Sequence, residues 1–173
     1  MTSRLSAAFA AEPELISACL EGADGQAAQD AQAVFSAAEA AQAGQPNYAD
    51  LSYHAARAAV AAGDYAAAAR LVSQALLVNP KYHDARMLAA RVEMERGQPR
   101  AARQHLEAAL ASGADYPDVH ALLARACQQI GDVGGARKAL ARALALNPAL
   151  AEVRAALATL PVAKGRESDE LPA

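Results

Sequence analysis

Two kinds of charged residue recur in this chain at one fixed interval. Arg57, Arg91 and Arg125 lie 34 residues apart, and so do Asp50, Asp84 and Asp118. A guanidinium is a rigid fork of five donors that fits carboxylates and carbonyl oxygens, whereas a carboxylate only accepts. In every unit the aspartate precedes its arginine by seven residues, about two helical turns, so both share one face of a helix. This pattern suits recognition, not bond-breaking. It leaves two readings open: the arginines grip groups of another molecule, or each pairs with a neighbouring aspartate and ties successive units together. Exposed pairs of the second kind contribute about 0–1 kcal/mol each. Both readings hold if a ligand displaces internal pairs.

Other reactive side chains do not converge. His54, His83, His105 and His120 fall at different places in the 34-residue unit, so no shared face gathers them into a metal site. Cys127 reads as a small buried hydrophobe, not a nucleophile. Glu93 and Glu95 are flanked by Arg91 and Arg96, as on a solvated helix end. Gly134-Gly135 marks a soft helix start; no phosphate-binding loop follows a strand. Catalysis needs a nucleophile, a base and a stabilising group together, and no such set is visible. The expectation is a protein without enzymatic activity, cofactor or metal.

The elements that must carry the charged rows are helices. Hydrophobic residues make up 54% of the 173, but most are alanine; aromatics are 4% and tryptophan is absent. Alanine has the highest helix propensity and buries little area, which suits closely packed helices and not a sheet. The net charge of −3 is spread over interspersed acids and bases. Without a Lys/Arg tract there is no grip on a phosphate backbone, so no nucleic-acid partner is expected. No apolar stretch nears the about 20 residues that span a bilayer, and Met1–Ala11 is too weak for a signal-peptide core. Cys19 and Cys127 lie far apart, which argues against a disulfide framework and for a reducing, cytoplasmic setting.

The interval extends well beyond the charges. Written as blocks 49–82, 83–116 and 117–150, the chain aligns without gaps. Block position 15 holds Gly63, Gly97 and Gly131; position 20, Ala68, Ala102 and Ala136; position 27, Ala75, Ala109 and Ala143; position 28, Leu76, Leu110 and Leu144. Pro80 and Pro148, each after an asparagine, fill position 32, where the middle block has Ala114. Glycine at 15 ends one helix, alanines at 20 and 27 admit close backbone approach, and Asn-Pro ends the second helix.

At these residues the chain resembles the tetratricopeptide repeat family: Gly63-Asp64-Tyr65, Ala68, Ala75-Leu76 and Asn79-Pro80 follow its Gly-Asp-Tyr, Ala, Ala-Leu, Asp-Pro pattern. Gly131-Asp132, Ala136, Ala143-Leu144 and Asn147-Pro148 repeat it. The resemblance implies an all-α, right-handed superhelical solenoid of antiparallel helix pairs with a concave groove. Residues 1–48 are expected to hold N-terminal helices with a degenerate repeat. In that segment, 14–22 and Gln29–Ala43 read as its two helices, and Asn47 as the cap of the next. Residues 151–161 read as a capping helix and 162–173 as a disordered tail. Departures occur at position 4 (Ser52, Arg86, His120) and position 11 (Ala59, Glu93, Cys127), where the family carries bulky side chains.

The family also implies that positions 2, 5, 9, 12 and 13 line the groove. Asp50, Asp84 and Asp118 then face it beside Arg57, Arg91 and Arg125, with Tyr53, Met87, Met94 and Gln128 as companions. The family's carboxylate clamp for chaperone tails is not reproduced, because its lysines and asparagines are replaced by Tyr53, Leu88, Asp118 and Leu122. Only Arg57 falls on a clamp position, where the family has asparagine. The expected function is a bacterial-type interaction scaffold or assembly factor that holds a protein or peptide segment. The alternative is a structural subunit or a homo-oligomer, exposed position-4 residues and a thin N-terminal cap favouring self-association. An N-terminal Leu5/Phe9 segment reads as a cap or as a helix docking into a neighbouring groove.

Overall fold

The computed structural model describes residues 27–44 and 47–161. The expected helix over 14–22, the Leu5/Phe9 segment, Cys19 and the tail over 162–173 lie outside the described residues. Among those described there are eight helices and no strand: α1 (Ala27–Gly44), α2 (Ala49–Ala61), α3 (Tyr65–Val78), α4 (His83–Glu95), α5 (Pro99–Ala111), α6 (Pro117–Gln129), α7 (Val133–Leu146) and α8 (Ala151–Thr159). Each helix packs on the next along the chain, most extensively within the pairs α2–α3, α4–α5 and α6–α7.

The turn inside each pair is built three times in the same way. Gly63, Gly97 and Gly131 have φ of 78°, 71° and 79°, a left-handed conformation that costs glycine nothing. The following residue donates back to the last turn: Asp64 N to Ala59 O at 2.9 Å, Gln98 N to Glu93 O at 2.7 Å, Asp132 N to Cys127 O at 2.9 Å. Asp64 and Asp132 then open the second helix, accepting from Ala67 N and Gly135 N, both at 2.8 Å. One aspartate therefore closes one helix with its N–H and starts the next with its carboxylate.

The second helices end by two different devices. Before Pro80 and Pro148, the Asn79 and Asn147 side chains accept from Lys81 N at 3.2 Å and Ala149 N at 3.0 Å. The middle pair lacks Asn-Pro. There Gly113, at φ 100°, ends α5, and Ala114 N reaches Ala109 O at 3.0 Å. The helix ends within one residue of the equivalent place in each repeat, but through a different backbone turn.

The interior follows the alanine columns. Ala68, Ala102, Ala136, Ala75, Ala109 and Ala143 are fully buried. Leu51, Leu71, Val92, Leu106 and Val119 are the largest wholly enclosed apolar side chains, each contributing about 1.5–3 kcal/mol by burial. At the C-terminal end, Val153, Ala156, Leu157 and Leu160 pack on Ala124, Ala139 and Leu140. Arg137 Nη1 donates to Leu160 O at 3.0 Å and fastens that end.

Several expectations need correction. Tyr48, not Asn47, occupies the N-cap of α2, and no side chain caps it. The position-4 residues are not exposed: Ser52 is 0% and His120 8% accessible, and Arg86 is half-buried. Arg86 and His120 bind the loop behind them instead. Arg86 Nε and Nη2 donate to Pro80 O at 2.9 and 2.6 Å, and His120 Nε2 meets Asp115 Oδ1 at 2.7 Å. Arg154, one repeat further on, donates in the same way to Pro148 O. These residues therefore do not form an exposed surface for self-association. Glu93 is not a solvated residue either: its side chain is 12% accessible and takes Arg96 Nη1 at 2.8 Å.

Candidate concave binding face

Helix α2 touches α4 and α4 touches α6. The family resemblance puts this first-helix layer on the inside of the solenoid, which makes α2, α4 and α6 the candidate concave wall. Each starts with a tyrosine in the N-cap position, in extended backbone: Tyr48, Tyr82 and Tyr116. An aspartate follows in each first turn, where the helix dipole favours negative charge.

Of the three, Tyr82 is half-buried, whereas Tyr48 and Tyr116 are exposed. The Tyr82 ring lies 5.1 Å from that of Tyr53, and the Asp50 carboxylate stands beside its hydroxyl. Burial, followed by the neighbouring Asp50 carboxylate, pushes its ionisation far above the ordinary tyrosine value, so the hydroxyl keeps its proton. Burial also raises Tyr53, with Arg57 opposing the shift.

Two clefts run along the wall and share one arginine. The first, about 140 Å³, is lined by Tyr53, Arg57, Asp84, Met87, Leu88 and Arg91. The second, about 460 Å³, is lined by Arg91, Glu95 and Arg125 over a floor of Val60, Tyr65, Ala121 and Leu122. Arginines thus outnumber carboxylates in both, although the chain as a whole is acidic. Arg91 and Arg125 are exposed and, among the described residues, take part in no ion pair. For these two the internal-tie reading does not describe the structure. The ties between repeats are made elsewhere, by Arg70–Glu39 at 3.2 Å, Arg103–Asp132 at 2.9 Å and Arg142–Asp115.

The candidate residues therefore separate into groups. Tyr53, Arg57, Asp84, Met87, Arg91 and Arg125 line the clefts. Asp50 stands beside the Tyr82 hydroxyl, while Asp118 and Gln128 are exposed but line neither cleft. Met94 is withdrawn from the surface: at 7% exposure it packs with Ala90, Ala102 and Leu106. The sequence reading missed the tyrosine row at block position 34, along with Tyr65 and Glu95; Leu88 and Leu122 it had noted only as replacements at clamp positions. The tyrosines had a signal, since Tyr48, Tyr82 and Tyr116 keep the same 34-residue spacing as the arginines.

A third cleft, about 260 Å³, lies between α5, α6 and α7 and is lined by His120, Cys127, Arg103, Lys138 and Arg142 among others. Burial pushes the Cys127 thiol up, which keeps it protonated and a poor nucleophile. Arg142 and Arg103 are committed to carboxylates. Among the described residues no group of three His, Cys, Asp or Glu could hold a metal ion, and no helix is long and apolar enough to cross a membrane.

Comparison with known proteins places this geometry. The sequence profile of the tetratricopeptide repeat matches residues 59–126 and again 93–160. No curated protein sequence matches the chain. Among solved structures, MamA 41-end from Desulfovibrio magneticus RS-1 superposes with a TM-score of 0.73 at 18% identity, covering 88% of this chain and 81% of that one. TTC0263, a thermophilic TPR protein of Thermus thermophilus, gives 0.65 at 20% identity, covering 92% and 88%. YrrB, described as a TPR protein with an unusual peptide-binding site, gives 0.63 at 20% identity, covering 69% and 62%. These likenesses establish the fold, a right-handed solenoid of antiparallel helix pairs.

Proposed function

Because the chain belongs to the tetratricopeptide repeat family, we propose that it is a non-catalytic scaffold that holds a segment of a protein partner against its concave wall. One observation carries the reading: Arg91 and Arg125 project into clefts on that wall with no ion pair among the described residues. A charged side chain held in a lined cleft without an internal partner is available to a ligand at little cost. Tyr53, Met87 and Leu122 supply apolar contact beside it. The peptide-binding site in the description of YrrB is in keeping with this use of the fold. A cytoplasmic role in assembling a larger complex belongs to the same proposal, with Cys127 buried as a free thiol.

The test is capture from host lysate on wild type beside Arg57/Arg91/Arg125→Glu, with circular dichroism to confirm that both are folded. A protein held by wild type and released by the variant supports the groove. A protein held equally by both moves the binding surface elsewhere and refutes the reading.

A further inference from the structure

The junction between one repeat's second helix and the next repeat recurs along the solenoid, and different side chains fill it each time. Block position 23 holds Leu71, His105 and Ala139, and position 11 holds Ala59, Glu93 and Cys127. Between α1, α2 and α3, Leu71 and Phe35 are enclosed in one apolar cluster. Between α3, α4 and α5 the corresponding residues are Glu93, whose side chain is 12% accessible, and the half-buried His105. These two are neighbours: burial lowers the ionisation of His105 and the Glu93 carboxylate opposes that shift. Between α5, α6 and α7, Cys127 and Ala139 are too short to reach as far. Arg103, in the column of Phe35, is drawn aside to Glu107 and Asp132. The cleft of about 260 Å³ opens where those larger side chains are missing.

The lining says what the cleft can hold. Its apolar part is Leu123, Cys127 and Ala139, and its charged part is Arg103, Lys138 and Arg142 against one carboxylate, Glu107. Both arginines are already engaged, Arg103 by Glu107 and Asp132 and Arg142 by Asp115, and His120 also meets Asp115. Lys138 is exposed and, among the described residues, has no ion pair. One positive charge is therefore left for a ligand to meet, beside an apolar surface. An apolar cavity of about 150 Å³ holds a benzene ring, so about 260 Å³ admits a ring with a short chain.

We infer that the cleft between α5, α6 and α7 binds a small monocarboxylic acid, its apolar body against Leu123, Cys127 and Ala139 and its carboxylate on Lys138. The solenoid carries its own precedent, because one repeat earlier a carboxylate, that of Glu93, stands in the column of Cys127. The site is separate from the concave wall and shares no lining residue with its two clefts.

The experiment titrates phenylacetate into the full chain and follows backbone amides by nitrogen–proton correlation NMR. The amides of Gly135, Lys138 and Ala139 are expected to move saturably below about 10 mM, the range open to so small a ligand. Phenylacetamide keeps the ring without the charge and should bind at least about tenfold more weakly. Two variants borrow residues that the solenoid already carries in the same columns. Ala139→Leu, after Leu71, fills the cleft and should abolish the shifts, with circular dichroism confirming the fold. Lys138→Gln, after Gln104, keeps the apolar lining and should weaken the acid to the level of the amide while leaving the amide unchanged. Arg91→Glu, on the concave wall, should alter neither. No saturable shift, an amide that binds as well as the acid, or acid binding that survives Lys138→Gln overturns the inference, and so does binding that survives a folded Ala139→Leu. If Ala139→Leu does not fold, Lys138→Gln alone decides.

Discussion

Asp132 makes two bonds with two oxygens, and replacing it separates them. Oδ1 accepts from Gly135 N at 2.8 Å and caps α7; Oδ2 accepts from Arg103 Nη1 at 2.9 Å and ties α7 to α5. The cap is worth about 1 kcal/mol. Both partners of the tie are 37% accessible, which holds its contribution to about 0–1 kcal/mol. Asp132→Ala should thus cost about 1–2 kcal/mol in urea unfolding. Asp64 is an internal control, because it caps α3 through Ala67 N at 2.8 Å and enters no such ion pair among the described residues. Asp64→Ala should cost about 1 kcal/mol, and the excess at Asp132 measures the tie. Asp132→Ser keeps the cap and loses only the excess. A double-mutant cycle with Arg103→Ala should return a coupling equal to that excess. If Asp132→Ala costs no more than Asp64→Ala yet couples to Arg103, or costs less than about 0.5 kcal/mol, this division of labour is wrong.

Other outcomes follow from the same geometry. Leu106→Ala, at a wholly enclosed position, should destabilise by about 2–5 kcal/mol in urea titration. Gly97→Ala should cost about 1–2 kcal/mol from φ alone, because at 71° the added methyl meets nothing within 4 Å; a neutral result would mean that the turn relaxes. Arg142 and then His120 hold the Asp115 carboxyl at about 2, below its ordinary 3.8. Its contribution to stability is therefore present above about pH 4 and is lost as pH falls towards about 2. In Asp115→Asn the urea midpoint should decline less over that window than in wild type.

How much of this was readable in advance depended on whether one residue or its surroundings decided the outcome. Helix ends were legible because they are local: Gly63 and Gly131 carry the left-handed turn, and Asn79-Pro80 and Asn147-Pro148 end the helices that precede them. Gly113 escaped notice because it does the same work one position before Ala114, where the pattern directed attention to a missing proline. Met94 was misplaced because a repeat makes positions equivalent without making their neighbours so. Val60, Met94 and Gln128 share a column, yet they are half-buried, buried and exposed. A flexible thioether turns inward wherever a gap allows. The position-4 residues were misread for a related reason: arginine and histidine look like surface groups until a loop carbonyl or Asp115 lies within reach.

The alanine columns and the concave columns sit on alternate helices and answer to different demands. Ala68, Ala102 and Ala136, on α3, α5 and α7, are enclosed, so exchange there disturbs the stacking of backbones. Arg91, Arg125 and Asp118, on α4 and α6, are exposed, and exchange there should leave stability within about 0.5 kcal/mol. The wall can therefore drift through sequence space while the solenoid behind it stands still. Specificity in such a molecule can be acquired one repeat at a time, each new side chain being tested by selection against a partner and not against the survival of the fold.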